Sequence, residues 1–318
     1  MVTSAQPDSR PAAAGGDLPA VLPRSGQARR ARDREPLLLL LPAMVVLLLL
    51  VVFPTLYLFY LSLSRWDIMT SAPRFIGLGN FREMFSADPM FWESLRISTV
   101  FTVGAVAVEY GFGLALAVGL NRKLPGLGLI RTLLIVPMAM TPVVTGIVWR
   151  MLYDPTFGMI NYLLGQVGIS GQAWVAQSST ALYALMVVDI WQWTPFMFLV
   201  LTAGLQSLPS DPFEAARVDG ASRWQTFWQI AFPLLWPVSL LAILLRAIDA
   251  WKVFDIVYAV TKGGPGTSTQ TLNFYSYTKG FQWFDLGYAA ALIVVVLFVA
   301  TIFTNVLVRV QPQILEEA

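Results

Sequence analysis

Six stretches of this chain are long and apolar enough to need burial in lipid as helices, near 37–64, 95–120, 130–153, 181–206, 234–257 and 286–308. A hydrocarbon layer about 30 Å thick is crossed by roughly 20 helical residues. Lipid offers no partner for peptide N–H and C=O groups, so a spanning segment must satisfy them internally. The expected fold class is therefore all-α integral membrane, with six transmembrane helices. Composition agrees: 56% of residues are hydrophobic, only 13% are charged, and the mean hydropathy is +0.64, well outside the range of a soluble domain. The first run is too long for a signal-peptide core and has no small-residue cleavage site behind it, so it stays as the first membrane helix.

The same composition removes several kinds of chemistry. A net charge of +2 gives no argument for nucleic acid. Cysteine and histidine are both absent, which excludes disulfides, thiol catalysis, Cys/His metal sites and the commonest general base. No metal site is expected. An integral-membrane enzyme acting on lipid-linked sugars would need paired carboxylates at the interface, whereas Asp67, Glu83, Asp88 and Glu93 are scattered among basic residues.

Residues 1–36, rich in Ala, Pro and Gly with Arg24, Arg29, Arg30, Arg32 and Arg34 near their end, read as a disordered basic tail. Residues 311–318 read as a second tail. With both tails inside, the inner segments also carry Arg122, Lys123, Arg131, Arg217, Arg223 and Arg309, against Arg65, Arg74, Arg82, Lys262 and Lys279 outside. This asymmetry places both termini in the cytoplasm. No internal repeat is visible.

Between the fourth and fifth apolar runs lies a polar island, Asp211-Pro-Phe-Glu-Ala-Ala-Arg-Val-Asp-Gly-Ala-Ser222, continuing to Ile230 and Pro233. Asp211 is expected to cap a helix, Pro212 suits its first position, and Glu214 stands where it can reach back to the capping residue. Gly220 supplies a left-handed position before a second short helix. The charge asymmetry puts this helix–turn–helix in the cytoplasm.

Glu214-Ala215-Ala216, Gly220 three residues on, Ile230 and Phe232-Pro233 resemble the EAA loop of the permease subunits of bacterial ATP-binding-cassette importers. That family usually has Leu before the final Pro; Phe232 keeps the contact apolar. Phe75-Ile-Gly-Leu-Gly-Asn-Phe81, Thr261-Lys-Gly-Gly-Pro265 and Gly287-Tyr-Ala-Ala-Ala291 resemble its carbohydrate branch, which moves oligosaccharides and glycerol phosphates. The resemblance implies a type I importer permease fold, in which loop 211–233 is a coupling helix docking on an ATPase through Glu214, Ala215, Ala216, Asp219 and Gly220. It also implies two copies of that ATPase, which bind ATP and Mg, a second permease, and an extracytoplasmic sugar-binding protein at a bacterial inner membrane. The chain itself has no Gly-x-x-x-x-Gly-Lys-Ser/Thr loop and is not expected to be an enzyme.

Ionisable groups in membrane helices mark candidate sites. Asp189, Gln192, Trp193 and Phe196 share one helix face, as do Arg246 and Asp249 on the next segment, with Lys252 and Asp255 toward its outer end. Gln192 and Arg246 are expected near mid-membrane. A carboxylate, an amide and aromatic rings suit sugar hydroxyls and C–H faces. Equally, Arg246 can neutralise Asp249 or Asp189 in a purely structural role. In the maltose-type permease, which this chain resembles, the equivalent stretches contact sugar, though with different residue identities. Glu109 and Arg150 are further buried charges, pairing with each other or capping helix ends. Pro137 and Pro142 are expected to bend the third segment. The rival reading is an ion-coupled secondary transporter using Glu109, Asp189 and Asp249.

Overall fold

A computed structural model describes residues 40–67, 69, 72–121 and 126–316. The expected tail over 1–36 lies outside them. The chain divides into two units, Met1–Thr55 and Leu56–Ala318. The first is described from Leu40 and is helical, with every side chain exposed and a π turn at Leu48–Val52. It begins the helix α1, Leu40–Ser62.

In the second unit a short antiparallel ribbon, β1 (Ser64–Arg65) with β2 (Arg74–Phe75), precedes α2 (Gly79–Ala87). Asn80 explains the Gly-Leu-Gly-Asn motif: its buried amide donates to the carbonyls of Ser62 and Ser64, both at 2.9 Å, tying the helix start to the ribbon.

Helix α3, Pro89–Leu120, begins earlier than its apolar run. Asp88 caps it by accepting from the amides of Met90 (2.9 Å) and Phe91 (3.2 Å), and Pro89 fills the first turn. Its main partner is α7, Ala181–Ser207. The two approach closely at Gly113, where an added Cβ would lie 2.4 Å from that of Met197. Small residues at such crossings allow the dispersion packing that holds membrane helices together. Phe101, Leu185, Phe198, Leu201 and Leu235 fill the adjoining core.

The third apolar segment is two helices rather than one bent one. α4 (Leu127–Ala139) and α5 (Pro142–Leu152) meet at 98°. Pro142 cannot donate to the preceding turn, and both Met140 (ψ 145°) and Thr141 (ψ 141°) are extended. The short α6, Met159–Gln166, follows.

After α7 come α8 (Asp211–Val218) and α9 (Arg223–Trp251), the latter with a π turn at Phe227–Ala231. The segment expected over 234–257 thus ends at Trp251. Its indole N–H donates to the Val296 carbonyl at 3.1 Å, and Phe254 leaves helical geometry (φ −138°). Asp255 opens a separate helix, α10, Asp255–Val260, in whose first turn an acid is favourable. Then α11 (Leu272–Tyr277), continued by a π turn, leads to α12, Leu286–Glu316. The expected tail at 311–318 is therefore helical as far as Glu316. Among the described residues, five helices are long and apolar enough to span a membrane, and six spans result if the broken pair α4/α5 counts as one.

Candidate functional site

The polar island folds as a helix, a left-handed glycine and a second helix. Ser210, not Asp211, occupies the N-cap position of α8, and no side chain caps it. Asp211 stands inside the first turn and accepts from the Ser210 hydroxyl (3.2 Å). Pro212 favours the chain entering the helix one residue before the expected point. Glu214 is exposed and makes no reciprocal bond among the described residues. At the other end Gly220 has φ +75°. The Ala221 amide bonds back to Ala216 (2.9 Å) and the Gly220 amide to Arg217 (3.2 Å), a Schellman closure of the helix. The reciprocal capping box is at Ser222 and Gln225, which starts α9.

Ala216 is buried beneath α8, while Glu214, Ala215, Val218, Asp219 and Gly220 face outward. No atom lies within 4 Å of a Cβ added at Gly220, so its backbone conformation, not crowding, requires glycine. From the loop into α9 runs a ladder of rings four residues apart. Trp224–Trp228, Trp228–Phe232 and Phe232–Trp236 have centroids 5.5, 5.0 and 6.0 Å apart.

The membrane charges meet in one buried set drawn from three helices. Arg246 of α9 places Nε 2.9 Å from Glu109 of α3, pairs through Nη2 with Asp189 of α7, and reaches Asp249 through Nη1 at 3.1 Å. Its guanidinium lies 4.9 Å over the Trp193 ring. The side chains of Glu109, Asp189 and Arg246 are 0%, 2% and 2% exposed, whereas Asp249 is 55% exposed. Because α9 ends early, Arg246 and Asp249 lie in its last two turns rather than at its middle. Arg150 is exposed in the last turn of α5 and has no part in this set; the partner of Glu109 is Arg246.

The predicted face of α7 therefore divides. Asp189 is held by Arg246, and Gln192 is buried with its amide donating to the Met140 carbonyl at 2.9 Å, at the joint between α4 and α5. Trp193 and Phe196 are half-buried. Sequence reasoning did not find the Gln192–Met140 bond, although a buried amide beside a proline-broken helix is a natural match of donor and orphan carbonyl. It also missed Glu109 as the third member. An acid in the apolar interior of α3, two turns or more from any other charge on that helix, was the available signal.

Beyond the C-terminal end of α9, Asp88 joins α3, α11 and α12, accepting from the Tyr275 hydroxyl at 2.7 Å and from that of Tyr288. Burial raises its carboxyl, but the hydroxyls of Tyr288 and Tyr275 and the amides of Phe91 and Met90 outweigh that, holding it below the ordinary Asp value. Lys279 sits over the rings of Tyr288, Trp283 and Tyr275 at 4.6, 4.7 and 5.6 Å.

Residues 110–315 match the family described as binding-protein-dependent transport system inner membrane component. A probable ABC transporter permease protein of Sinorhizobium fredii is 39% identical over 266 residues, covering 83% of this chain and 85% of its own. The trehalose/maltose transport system permease of Thermococcus litoralis is 35% identical over 273 residues, covering 86% and 92%. Among solved structures, a chain of a bacterial alginate ABC transporter, in complex with an alginate pentasaccharide-bound periplasmic protein, shares the fold. Its TM-score is 0.75 at 19% identity, over 88% of this chain and 94% of that one. Helices, loop and sequence agree: the chain belongs to the binding-protein-dependent transport system inner membrane components, the non-catalytic permease subunits of ATP-binding-cassette importers, whose ATP is handled by a separate ATPase.

Proposed function

We propose that this chain forms one half of the translocation path of an ATP-driven carbohydrate importer. A second, related permease supplies the other half, and two ATPase copies bind on the cytoplasmic side. Loop 211–233 is the cytoplasmic dock, with Glu214, Ala215, Asp219 and Gly220 presented to one ATPase and Ala216 seating α8 against the helix ends. Both termini lie on that side, and the sugar-binding protein delivers its load at the other. Support for carbohydrate comes from relatives named for trehalose/maltose, sulfoquinovosyl glycerol and sn-glycerol-3-phosphate transport.

The observation that carries the path assignment is Asp249. A carboxylate that is half-exposed in an apolar spanning helix faces a water-filled path or a partner chain rather than lipid, and here it is bound to Arg246, whose guanidinium lies over Trp193, at the edge of an otherwise buried charge set. In this reading Asp249, Trp193 and Phe196 meet the sugar. Asp189, Gln192 and Arg246 hold them in place. The ion-site reading of Glu109, Asp189 and Asp249 loses its force because one guanidinium holds all three.

The test is affinity purification of the tagged chain in mild detergent, followed by ATPase and uptake assays in vesicles. Recovery of an ATPase and a second permease, with ATP-dependent uptake of a sugar when the binding protein is added, is the expected result. Recovery of this chain alone, with uptake driven by an ion gradient, overturns the proposal.

A further inference from the structure

The Thr261-Lys-Gly-Gly-Pro265 turn is left without a role by the path and the dock. Loop 211–233 and residues 252–285 lie at opposite ends of α9, so this turn faces the side from which sugar is proposed to arrive. A cavity of about 260 Å³ opens there, lined by Lys262, Gln270, Phe274, Thr278, Gln282 and Trp283 among others. We propose that it is an outer subsite for a single sugar ring, occupied before the substrate enters the membrane path; this rests on the carbohydrate reading above.

Four hydrogen-bonding side chains converge on the cavity without a protein hydrogen bond or ion pair among the described residues: the amides of Gln270 and Gln282, the Lys262 ammonium and the Trp283 indole N–H. Gln270 is only 7% exposed. Its amide makes no protein hydrogen bond and opens on the cavity, where a hydroxyl-bearing ligand can take the place of water. The walls are aromatic: Phe274 lies under the turn, and Trp283, with Lys279 over one face of its ring, adds a second aromatic surface. Lys262 is held at φ +53° beside Gly263 at φ +83°. A Cβ on Gly263 would come within 2.6 Å of the Phe274 ring, so the turn lies directly on the aromatic floor. Apolar walls with a few convergent polar groups are the usual make-up of a small-ligand pocket. The volume suits one ring rather than a disaccharide.

The experiment uses the assembled transporter in nanodiscs without its binding protein, with methyl α-D-glucopyranoside and trehalose as probes and saturation-transfer difference NMR as the readout. Transfer to both is expected in the wild type. Gln270→Leu and Trp283→Ala should each weaken it about tenfold, the equivalent of one or two hydrogen bonds or a lost ring contact. Unchanged transfer in Gln270→Leu and Trp283→Ala, in complexes that still elute as the full assembly, overturns the subsite. So does loss of binding-protein-stimulated ATP hydrolysis with sugar transfer intact, because the cavity then serves the binding protein. Should either substitution prevent assembly, Gln282→Ala at the exposed rim gives the same readout. Failure of the wild-type transporter to take up any carbohydrate, even with its binding protein, counts instead against the carbohydrate reading.

Discussion

Replacing Arg246 by Met tests whether the buried charge set is held by one cation. The substitution keeps much of the side-chain volume and removes the guanidinium, leaving Glu109 and Asp189 essentially unexposed and without a positive partner. Breaking a buried pair from one side costs roughly 3–5 kcal/mol, most of it the penalty of the stranded charge. With two stranded carboxylates the upper half of that range is expected. For a chain of this size, about 2 °C of melting temperature per kcal/mol turns this into a fall of roughly 8–10 °C. Glu109→Gln should cost far less, because Asp189 still neutralises Arg246 and a like charge is removed. Asp249→Asn, at an exposed carboxylate, should cost under about 1 kcal/mol. Thermal unfolding of the purified complex in detergent, followed by tryptophan fluorescence, gives the order directly. An Arg246→Met protein that melts within about 2 °C of wild type, or an Asp249→Asn protein as damaged as Asp189→Asn, refutes the reasoning.

Gly220→Ala should fold with a local cost of about 1–2 kcal/mol from its left-handed backbone, and Gly220→Asn with less. Gly220→Glu, which adds a charge at the proposed dock, should abolish sugar-stimulated ATP hydrolysis while the membrane helices still assemble; intact stimulation removes the coupling assignment. Gln192→Leu should strand the Met140 carbonyl and destabilise the complex by about 1–3 kcal/mol, with proteolysis or hydrogen exchange increasing at residues 139–142; unchanged exchange there counts against the amide as the tie. Asp88 binds its proton less readily folded than unfolded. Its contribution to stability is thus present above the unfolded Asp value and is lost as pH falls through the lower folded one. Asp88→Asn should flatten the acid limb of a melting-temperature profile between about pH 5 and 2, and an unchanged limb overturns that.

The spanning helices were legible because lipid leaves few alternatives: about 20 apolar residues in a row must be helical. Their ends were less so. Asp88 extended α3 by capping it ahead of the apolar run, and α9 stopped at Trp251 within an apolar stretch because of the indole bond to Val296, a contact remote in sequence. The two prolines marked the third segment for bending, yet the size of the turn depended on Met140 and Thr141 both becoming extended. In the loop, Gly220 was readable from its spacing, but Ser210 competed with Asp211 as the cap of α8, and local chemistry does not rank them. For Arg246 the sequence offered Asp249 and Asp189 as partners. That Glu109, 137 residues away, would supply a third is a property of how α3 packs on α7.

Helix α9 carries a mechanical consequence. It runs from the capping box at Ser222 to the charge set, with Arg246 about 35 Å along its axis from Arg223 at 1.5 Å per residue. The ring ladder braces its first turns across the π turn. A tilt of about 5° pivoting at the loop displaces Arg246 by about 3 Å at that lever length, the scale of the Glu109 contact itself. Small angular motion at the loop end is thus amplified into the making or breaking of a buried ion pair near the far end of the helix, and the grip on Asp249 changes with it.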